Sequence, residues 1–560
     1  MLTLPIGAIG ATADEAGFDV GCPRPANPQP TAWRVAGDSE LNAMRATVAQ
    51  TLSAVETRAL GLSGDVQGFR AGLDYGLIYA RDSSTIAPAA QLLYGAPFLT
   101  RAVEEFLHAQ FDGLPDDPED TFWSTAAQPG AVSGVIGAAD LSMVKTLVTS
   151  DEEPSVVHMA YVAFKAGAGP RWLLGDQAGK PRLQRLNEAM DWLFVNRLDP
   201  SLGLIKRGHT TDWGDVEVGV GVTNLPISLP PKEWTASIYD QAWSFRALIE
   251  LAEMNVAGDR PDLAEKQLAR ARGLRQASAE RLWQPTRGYY RTHLHIPPVR
   301  HAFEEDQIVS IANAVAVYTG LADPSEHGPI FRALEEARLV AGAAKPGLSL
   351  APPYPQGFFD YPQMTPGRYQ NGGVWDWWGG IQISAEFWNG QASLARAHLD
   401  MVASDWARAP GEVFEWQEPR SRRNAGSRAY AGAASTMTEA IVAGLFGVEL
   451  WSDGFAASPR LGPQSGGLRV YQPSTGCWLD YWHTYAGDRI ALEWDTNHPL
   501  TGRVRVLLPE RTSLSGGLLD RRPAPLSIEQ LGEDRYAVLT VPAQAGKHRL
   551  ELQLTTLPPT

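Results

Sequence analysis

Cysteine is scarce in this chain of 560 residues: Cys22 and Cys477 are the two that occur. Two cysteines cannot supply a metal cluster or a disulfide framework, so we expect a reducing compartment, the cytoplasm. Long apolar runs are also missing: no stretch of about 18 apolar residues occurs, which argues against a membrane-spanning helix. The N-terminal segment Met1–Gly7 has neither a basic region nor a long apolar region, so the sequence predicts no signal peptide.

Positive charge is in deficit, because 48 lysines and arginines face 63 acidic side chains, for a formal net charge of −15. Nucleic acids and anionic membranes attract basic surfaces, so neither is an expected partner. The sequence also shows no metal-ligand spacing, no glycine-rich nucleotide loop and no nucleophile elbow. We therefore expect neither a cofactor nor a bound metal.

Helical patterns fill residues 39 to 447, and long loops follow alternate helices. Roughly twelve helices of this kind predict a mainly α fold, an (α/α)6 toroid or six-hairpin barrel, whose loops meet at one funnel. An open α-solenoid is the alternative, but it would need more regular repeats. After about Gly447 the pattern largely alternates at period two, which predicts a C-terminal antiparallel β-sandwich. The predicted units are an extended arm at 1–38, a catalytic domain at 39–447 and a β-sandwich domain at 448–560.

Tryptophan is frequent, with 18 residues, and the loops that carry it also carry acids. In the stretch Arg207–Glu217, Asp212 and Asp215 flank Trp213 and Gly214. An indole face suits a sugar ring, and its apolar bulk can raise the pKa of a neighbouring carboxyl toward that of a general acid. The alternative is an acidic surface turn whose tryptophan fills the core.

A second acidic stretch places Glu415 between Phe414 and Trp416. Two carboxylates on opposite sides of a funnel are what inverting glycoside hydrolysis requires, since one protonates the leaving oxygen and the other activates water. A salt bridge from Glu415 to the cluster Arg420–Arg423 is the structural alternative. A third stretch, Tyr369–Gly380, adds paired glycines and three tryptophans, of which we expect at least one to face the cavity.

Several short motifs and their order along the chain resemble those of the α/α-toroid glycoside hydrolases related to family 63 and of the glucosidase domain of glycogen debranching enzymes. That group includes processing α-glucosidases and mannosylglycerate and glucosylglycerate hydrolases. The motifs that carry the resemblance are Tyr79–Asp82, Asp212–Asp215, Ser237–Leu248, Tyr369–Trp375, and Phe414–Pro419 followed by Ala429–Ser435. Asp212 stands where the family has Glu-Ser-Gly, and Asn-Gly-Gly replaces Arg-Gly-Pro, differences that bear on sugar specificity.

The resemblance implies Asp215 as general acid and Glu415 as general base. It also implies a set of substrate contacts: Arg81, Asp82, His209, Asp212, Trp213, Gln241, Gln370, Trp375, Trp377 and Trp416. For His209 the alternative is a hydrogen-bonded structural histidine. The implied activity is exo-acting hydrolysis of an α-linked glucoside, with a carbohydrate as partner.

Three other functions fit the same toroid. A polysaccharide lyase would need a Tyr or His base and a basic cleft, whereas these loops are acidic. A phosphorylase would need a phosphate cradle, for which the run Arg420–Arg423 is the one candidate. A catalytically inactive carbohydrate-binding protein is the third alternative.

Overall fold

The computed structural model describes residues 22–23, 25–61, 63–94, 96–110, 129–137, 145–219, 231–500, 502–541 and 545–557. Most of the predicted N-terminal arm, including the segment considered for a signal peptide, lies outside these ranges. Among the described residues, no helix has both the length and the apolar character needed to cross a membrane.

The first large part of the chain is helical, as the periodicity predicts. Its helices are α1 (Ser39–Val55), α2 (Ala80–Leu93), α3 (Ala96–His108), α4 (Glu152–Ala163), α5 (Gly169–Leu174), α6 (Arg182–Asn196), α7 (Ile238–Ala257), α8 (Pro261–Arg281), α9 (Ala312–Tyr318), α10 (Pro324–Ala341), α11 (Asp376–Trp388), α12 (Ala392–Trp406) and α13 (Ala431–Glu439). Short π-helical turns follow α4 and α13 at Phe164–Ala168 and Ala440–Leu445.

Six of these helices form a succession of contacts that returns to its start. Helix α2 packs on α4, α4 on α7, α7 on α9, α9 on α11, α11 on α13, and α13 on α2. The remaining long helices α1, α3, α6, α8, α10 and α12 each pack against members of that succession. The two sets differ in pattern: every residue of α11 is buried, whereas α8 buries one stripe that includes Ala264, Leu268, Ala271 and Leu274. A helix that is apolar all round belongs inside, and an amphipathic one belongs at the surface.

Several predicted helix boundaries are wrong. The periodicity predicts a helix from Ser39 to about Leu60, but α1 ends at Val55, because the chain turns there into a β-hairpin. The pair Ser83-Ser84 predicts a cap for a helix from Thr85 to Tyr94, but α2 begins at Ala80, and Asp82 lies in its first turn, where a carboxylate complements the helix dipole. The pattern also suggests a helix near 136–149, but Ile136 belongs to a strand, and residues 138–144 lie outside the described ranges.

Short strands interrupt the helical part, contrary to the prediction. They are β2 (Glu56–Gly61), β3 (Gly64–Phe69), β4 (Ile78–Tyr79), β5 (Val135–Ile136), β6 (Asp176–Gln177), β7 (Lys180–Pro181), β8 (Leu198–Asp199), β9 (Leu204–Ile205), β10 (Arg207–Gly208), β11 (Trp234–Ser237), β12 (Trp283–Gln284), β13 (Tyr289–Tyr290), β14 (His293–Ile296), β15 (Val309–Ser310), β16 (Leu350–Ala351), β17 (Phe414–Gln417) and β18 (Asn424–Arg428). They pair antiparallel in the loops between helices, and β10, β11 and β14 form one three-stranded sheet. Stretches of two to six residues are too short for a period-two pattern to stand out.

The C-terminal part consists of two sheets. Its strands are β19 (Val448–Trp451), β20 (Gly454–Ala457), β21 (Gly466–Tyr471), β22 (Trp478–Tyr485), β23 (Arg489–Thr496), β24 (Gly502–Leu507), β25 (Thr512–Leu519), β26 (Arg522–Pro523), β27 (Ser527–Leu531), β28 (Asp534–Val541) and β29 (Gly546–Thr556). One sheet has the order β21-β22-β23-β29-β25-β26 and the other β19-β20-β24-β28-β27, in which β20 and β24 run parallel, unlike the antiparallel pairing predicted. Strand β1 (Ala32–Val35), from the predicted arm, adds to the first sheet beside β21.

The two cysteines form a disulfide between Cys22 and Cys477. The bond ties the N-terminal segment to the C-terminal sheet part across a sequence separation of 455 residues. Disulfides persist in oxidising compartments and are rare in the cytosol. The premise for a reducing compartment therefore does not hold.

Candidate active site

The acidic loop that holds Asp215 is fixed from inside the protein. It follows β10, and the buried guanidinium of Arg207 donates to the carbonyl of Gly214. A Cβ at Gly214 would lie 2.4 Å from Oε1 of Gln370, so a larger residue there would displace the Gln370 side chain. Nε2 of Gln370 donates to Oδ1 of Asp215 over 2.7 Å. The carboxyl of Asp215 is half-buried and held in one direction by this bond.

Glu415 lies on β17 and is 4% exposed. The hydroxyl of Tyr75 donates to its Oε1 over 2.9 Å, and the backbone N–H of Ser427 donates to its Oε2 over 2.8 Å. Burial raises the pKa of Glu415 to about 7, and these two hydrogen bonds oppose that rise.

The arginines near Glu415 have their own partners. Arg422 pairs with Asp405 over 2.6 Å, and Arg423 pairs with Glu418. Arg420 donates to the carbonyl of Ala341 over 3.3 Å. The salt bridge considered as an alternative is therefore not found among the described residues. The carboxyl of Glu415 faces tyrosine and backbone N–H groups rather than a guanidinium.

Three carboxyls from distant parts of the chain share one electrostatic environment. Asp82, in the first turn of α2, has its pKa raised to about 6, mainly by burial, with a further contribution from the charge of Asp215. The charges of Asp82 and Asp215 also contribute to the raised pKa of Glu415. The pKa of the Tyr79 phenol rises to about 12, first by burial and then through Asp82 and Asp215. Asp82, Asp215 and Glu415 therefore lie close enough for the charges of Asp82 and Asp215 to act on Glu415.

Arg81 lies next to Asp82 and within the electrostatic reach of Asp215, and its side chain is 15% exposed. It binds Asp151 through two nitrogens, over 2.5 and 3.2 Å. Tyr239 donates to the same carboxylate over 3.1 Å. Asp151 thus holds Arg81 in place at the N-terminus of α2, next to Asp82.

The four tryptophans predicted to offer open faces are nearly fully buried. Trp213, Trp375, Trp377 and Trp416 are 1, 1, 2 and 3% exposed. Trp213 packs edge-on against Trp375, with ring centroids 5.0 Å apart. Nε1 of Trp377 donates to Oγ1 of Thr85 over 2.9 Å. These four side chains belong to the hydrophobic core and present no open face to a sugar.

Three other predicted contacts lie inside the protein. The amide of Gln241 bonds three times to the backbone of residues 205 and 237, at 2.7 to 2.9 Å, so it is not available to a substrate. Asp212 is fully buried, accepts from Ser310, and has a positive φ of 70°. Burial raises its pKa to about 8. His209 is fully buried and lies 2.9 Å from Glu233, which matches the structural alternative.

Tyrosines supply what the sequence interpretation missed. Tyr75 contacts Glu415, and the hydroxyl of Tyr430 lies 3.5 Å from Asp82. Burial raises the pKa of the half-buried Tyr361, and the charges of Asp215 and Glu415 raise it further. Tyr75 and Tyr430 stand inside or beside the motifs that carried the resemblance, but nothing local marks a tyrosine whose partner is 340 residues away.

Comparison with known proteins shows the same kind of fold. No protein-family model and no curated protein matches the chain by sequence. Among solved structures it is similar to the GH78 rhamnosidase of Bacillus sp. GL1, with a TM-score of 0.60 and 12% identity over 87% of this chain and 43% of that one. It is also similar to the α-L-rhamnosidase from Dictyoglumus thermophilum, with a TM-score of 0.58 and 11% identity over 95% of this chain and 51% of that one.

The GH63 mannosylglycerate hydrolase from Thermus thermophilus, solved with glucose, also matches. It has a TM-score of 0.49 and 16% identity over 70% of this chain and 98% of that one. The chain spans about half or less of the length of the two rhamnosidases. Structural neighbours thus include glycoside hydrolases, and at these identities the likeness concerns the fold alone.

Proposed function

We propose that this protein is an inverting glycoside hydrolase that removes an α-linked, glucoside-type sugar from a chain end. The observation that carries the proposal is that the charge of Asp215 contributes to the raised pKa of both Asp82 and Glu415, although Asp215 and Glu415 are 200 residues apart in sequence. Structural neighbours that are glycoside hydrolases support the reaction class. The closed succession of helix contacts supports an (α/α)6 toroid at 39–447, and the two sheets support a β-sandwich at 448–560.

In the proposed mechanism Asp215 is the general acid and protonates the leaving oxygen. Glu415 is the general base and takes a proton from the attacking water on the opposite face of the sugar. A base whose pKa lies near 7 suits this step at neutral pH, since it is ionised often enough and still accepts a proton readily. Arg81, Asp82 and Gln370 would bind hydroxyls or hold the acid, and Tyr75, Tyr79 and Tyr361 would contact the ring.

One observation favours the reverse assignment. Burial raises the pKa of Glu415 to about 7, and a raised pKa also suits a general acid. In that case Glu415 would be the acid and Asp215 the base. Motif order supports the first assignment, and the leaving-group experiment separates the two.

The experiment compares Asp215→Asn and Glu415→Gln on a natural glycoside and on the matching glycosyl fluoride, whose departing fluoride needs no protonation. We expect Asp215→Asn to lose about 10²–10⁴-fold on the glycoside and far less on the fluoride, and Glu415→Gln to lose similar factors on both. The opposite pattern would reverse the two roles. Equal retention of activity in both variants would refute the site.

The sugar and the stereochemistry are read from proton NMR time courses on α-linked gluco- and manno-disaccharides and glycosyl glycerates. α-L-Rhamnosides form the second candidate class, because the neighbours include GH78 rhamnosidases. We expect an α-glucoside to be cleaved with a β-anomer formed first. Initial formation of the α-anomer would contradict inversion, and preferential cleavage of rhamnosides would replace the sugar assignment while leaving the reaction class intact.

A further inference from the structure

A cluster of three histidines and one glutamate lies behind the acidic loop, in a part of the molecule that the proposed reaction does not use. The histidine cluster consists of His209, His295, His301 and Glu305. Its members come from three segments: the start of the acidic loop, strand β14, and the chain that follows β14. One ligand atom from each residue can be chosen so that all four lie within 4.8 Å of one another.

The separations between these atoms lie on both sides of those in a tetrahedral zinc site. Nε2 of His295 lies 3.2 Å from Nε2 of His301 and 2.7 Å from Oε2 of Glu305. Nε2 of His301 lies 3.9 Å from the same oxygen, and Nε2 of His209 lies 3.5 Å from Oε1 of Glu305. With zinc bonds of about 2.0–2.2 Å, the ligand atoms of a tetrahedral site lie about 3.3–3.5 Å from one another. The observed separations, from 2.7 to 3.9 Å, span this range.

The hydrogen bonding of the cluster is incomplete without a cation. Nε2 of His209 is buried and has no partner in hydrogen-bond geometry among the described residues, although Oε1 of Glu305 lies 3.5 Å away. Two Nε2 atoms, those of His295 and His301, face each other at 3.2 Å. A divalent cation bound between them would satisfy all three nitrogens and the carboxylate together.

Groups around the cluster orient its members as second-layer partners of a metal site do. Nδ1 of His209 lies 2.9 Å from the carboxylate of Glu233, the arrangement that fixes the tautomer of a zinc-binding histidine. The hydroxyl of Tyr354 donates to Oε1 of Glu305 over 2.7 Å, which leaves Oε2 for the metal. His293 lies 3.2 Å from Oε1 of Glu305 and accepts the backbone N–H of Asp212 over 3.1 Å.

We propose that His209, His295, His301 and Glu305 bind one zinc ion that anchors the loop carrying Asp215. Three imidazoles and one carboxylate suit zinc rather than calcium or magnesium, which take six or more oxygen ligands. Four protein ligands close the coordination sphere, so the ion is structural rather than catalytic. The expectation of no metal rested on spacing along the sequence, whereas this site draws on positions 209 and 295 to 305.

The first test is the metal content of the full-length protein, purified without a histidine tag or chelator and dialysed, by inductively coupled plasma mass spectrometry. We expect about one zinc per chain in the wild type and about a tenth of that or less in His295→Ala and His301→Gln. His548→Ala, a histidine on β29 in the C-terminal sheet, is the matched control and should keep its zinc. Equal zinc in the wild type and in both cluster variants would overturn the proposal.

The second test uses the wild type alone, so that a misfolded variant cannot decide the outcome. Protein stripped with a chelator should melt at a lower temperature, and zinc chloride, but not calcium or magnesium chloride, should restore the melting temperature. Cobalt(II) should give the intense visible absorption typical of tetrahedral nitrogen and oxygen ligands. A melting temperature unaffected by chelation and by zinc would show that the cluster is a hydrogen-bonded network. Neither test needs a sugar substrate, so its result is independent of the proposed hydrolase activity.

Discussion

Replacing Tyr75 with phenylalanine tests the proposed base directly. The hydroxyl of Tyr75 donates to Glu415 over 2.9 Å and favours its ionised form. The variant keeps the ring and removes the donor, so the pKa of Glu415 should rise above its wild-type value of about 7. The size of that rise follows from the strength of one hydrogen bond to a charged group.

A hydrogen bond to a charged group contributes about 1.5–3 kcal/mol, and one pKa unit corresponds to about 1.36 kcal/mol. Loss of the Tyr75 bond should therefore raise the pKa of Glu415 by about 1–2 units. A general base must be ionised to act, so kcat/KM should increase with pH through about 7 in the wild type and through a value about 1–2 units higher in Tyr75→Phe.

Two measurements follow the shift. The first is the pH profile of kcat/KM, which reports the free enzyme. The second is carbon-13 NMR of the labelled glutamate carboxyls, with Glu415→Gln used to assign the signal, and it needs no substrate. Tyr79→Phe is the control, because the charges near Tyr79 are those of Asp82 and Asp215. It should leave the titration of Glu415 near its wild-type position.

The outcomes are distinct. If the alkaline limb of the kcat/KM profile, rather than the acidic limb, shifts to higher pH in Tyr75→Phe, Glu415 acts as the acid and the two roles are reversed. A Glu415 signal that titrates near 4.5 in the wild type would refute the reasoning from burial.

Three further predictions concern stability. Glu415→Gln should be more stable than the wild type above pH 7, because folding raises the pKa of this buried carboxyl from 4.5 to about 7, which costs the wild type about 3 kcal/mol. The difference in stability should vanish below pH 4.5, where the carboxyl is protonated in both the folded and the unfolded state, and chemical denaturation at pH 8 and pH 4 tests this. Trp375→Ala should lower the free energy of unfolding by about 3–5 kcal/mol, since the indole is 1% exposed, and an unchanged melting temperature with an increased KM would instead identify an open stacking face. Lys345→Met should lower the free energy of unfolding, measured by urea denaturation, by about 3–5 kcal/mol, because Nζ of Lys345 lies 2.7 Å from Asp376 and 2.8 Å from Asp405 in a buried network. A decrease below about 1 kcal/mol would contradict this account.

Helical and period-two patterns were sufficient to predict a helical part followed by sheets, because a buried face repeats along the chain with the period of its own element. The same locality explains the errors. Ser83 and Ser84 resembled a helix N-cap, whereas α2 begins at Ala80, directly after strand β4 pairs with β5. In the same way, strand β1 is defined by its pairing with β21, more than 400 residues away.

The candidate site divides in the same manner. The sequence by itself determined which loops are rich in acids and aromatics, and this pattern identified Asp215 and Glu415 as candidate catalytic carboxyls. Only the tertiary structure decided that the indoles of those loops point inward, that Gln241 bonds to backbone, and that Tyr75 reaches Glu415. The disulfide and the histidine cluster depend on it too. Composition and spacing record what lies within a turn or two of a residue, whereas burial, pKa and metal ligation depend on partners that folding brings from hundreds of residues away.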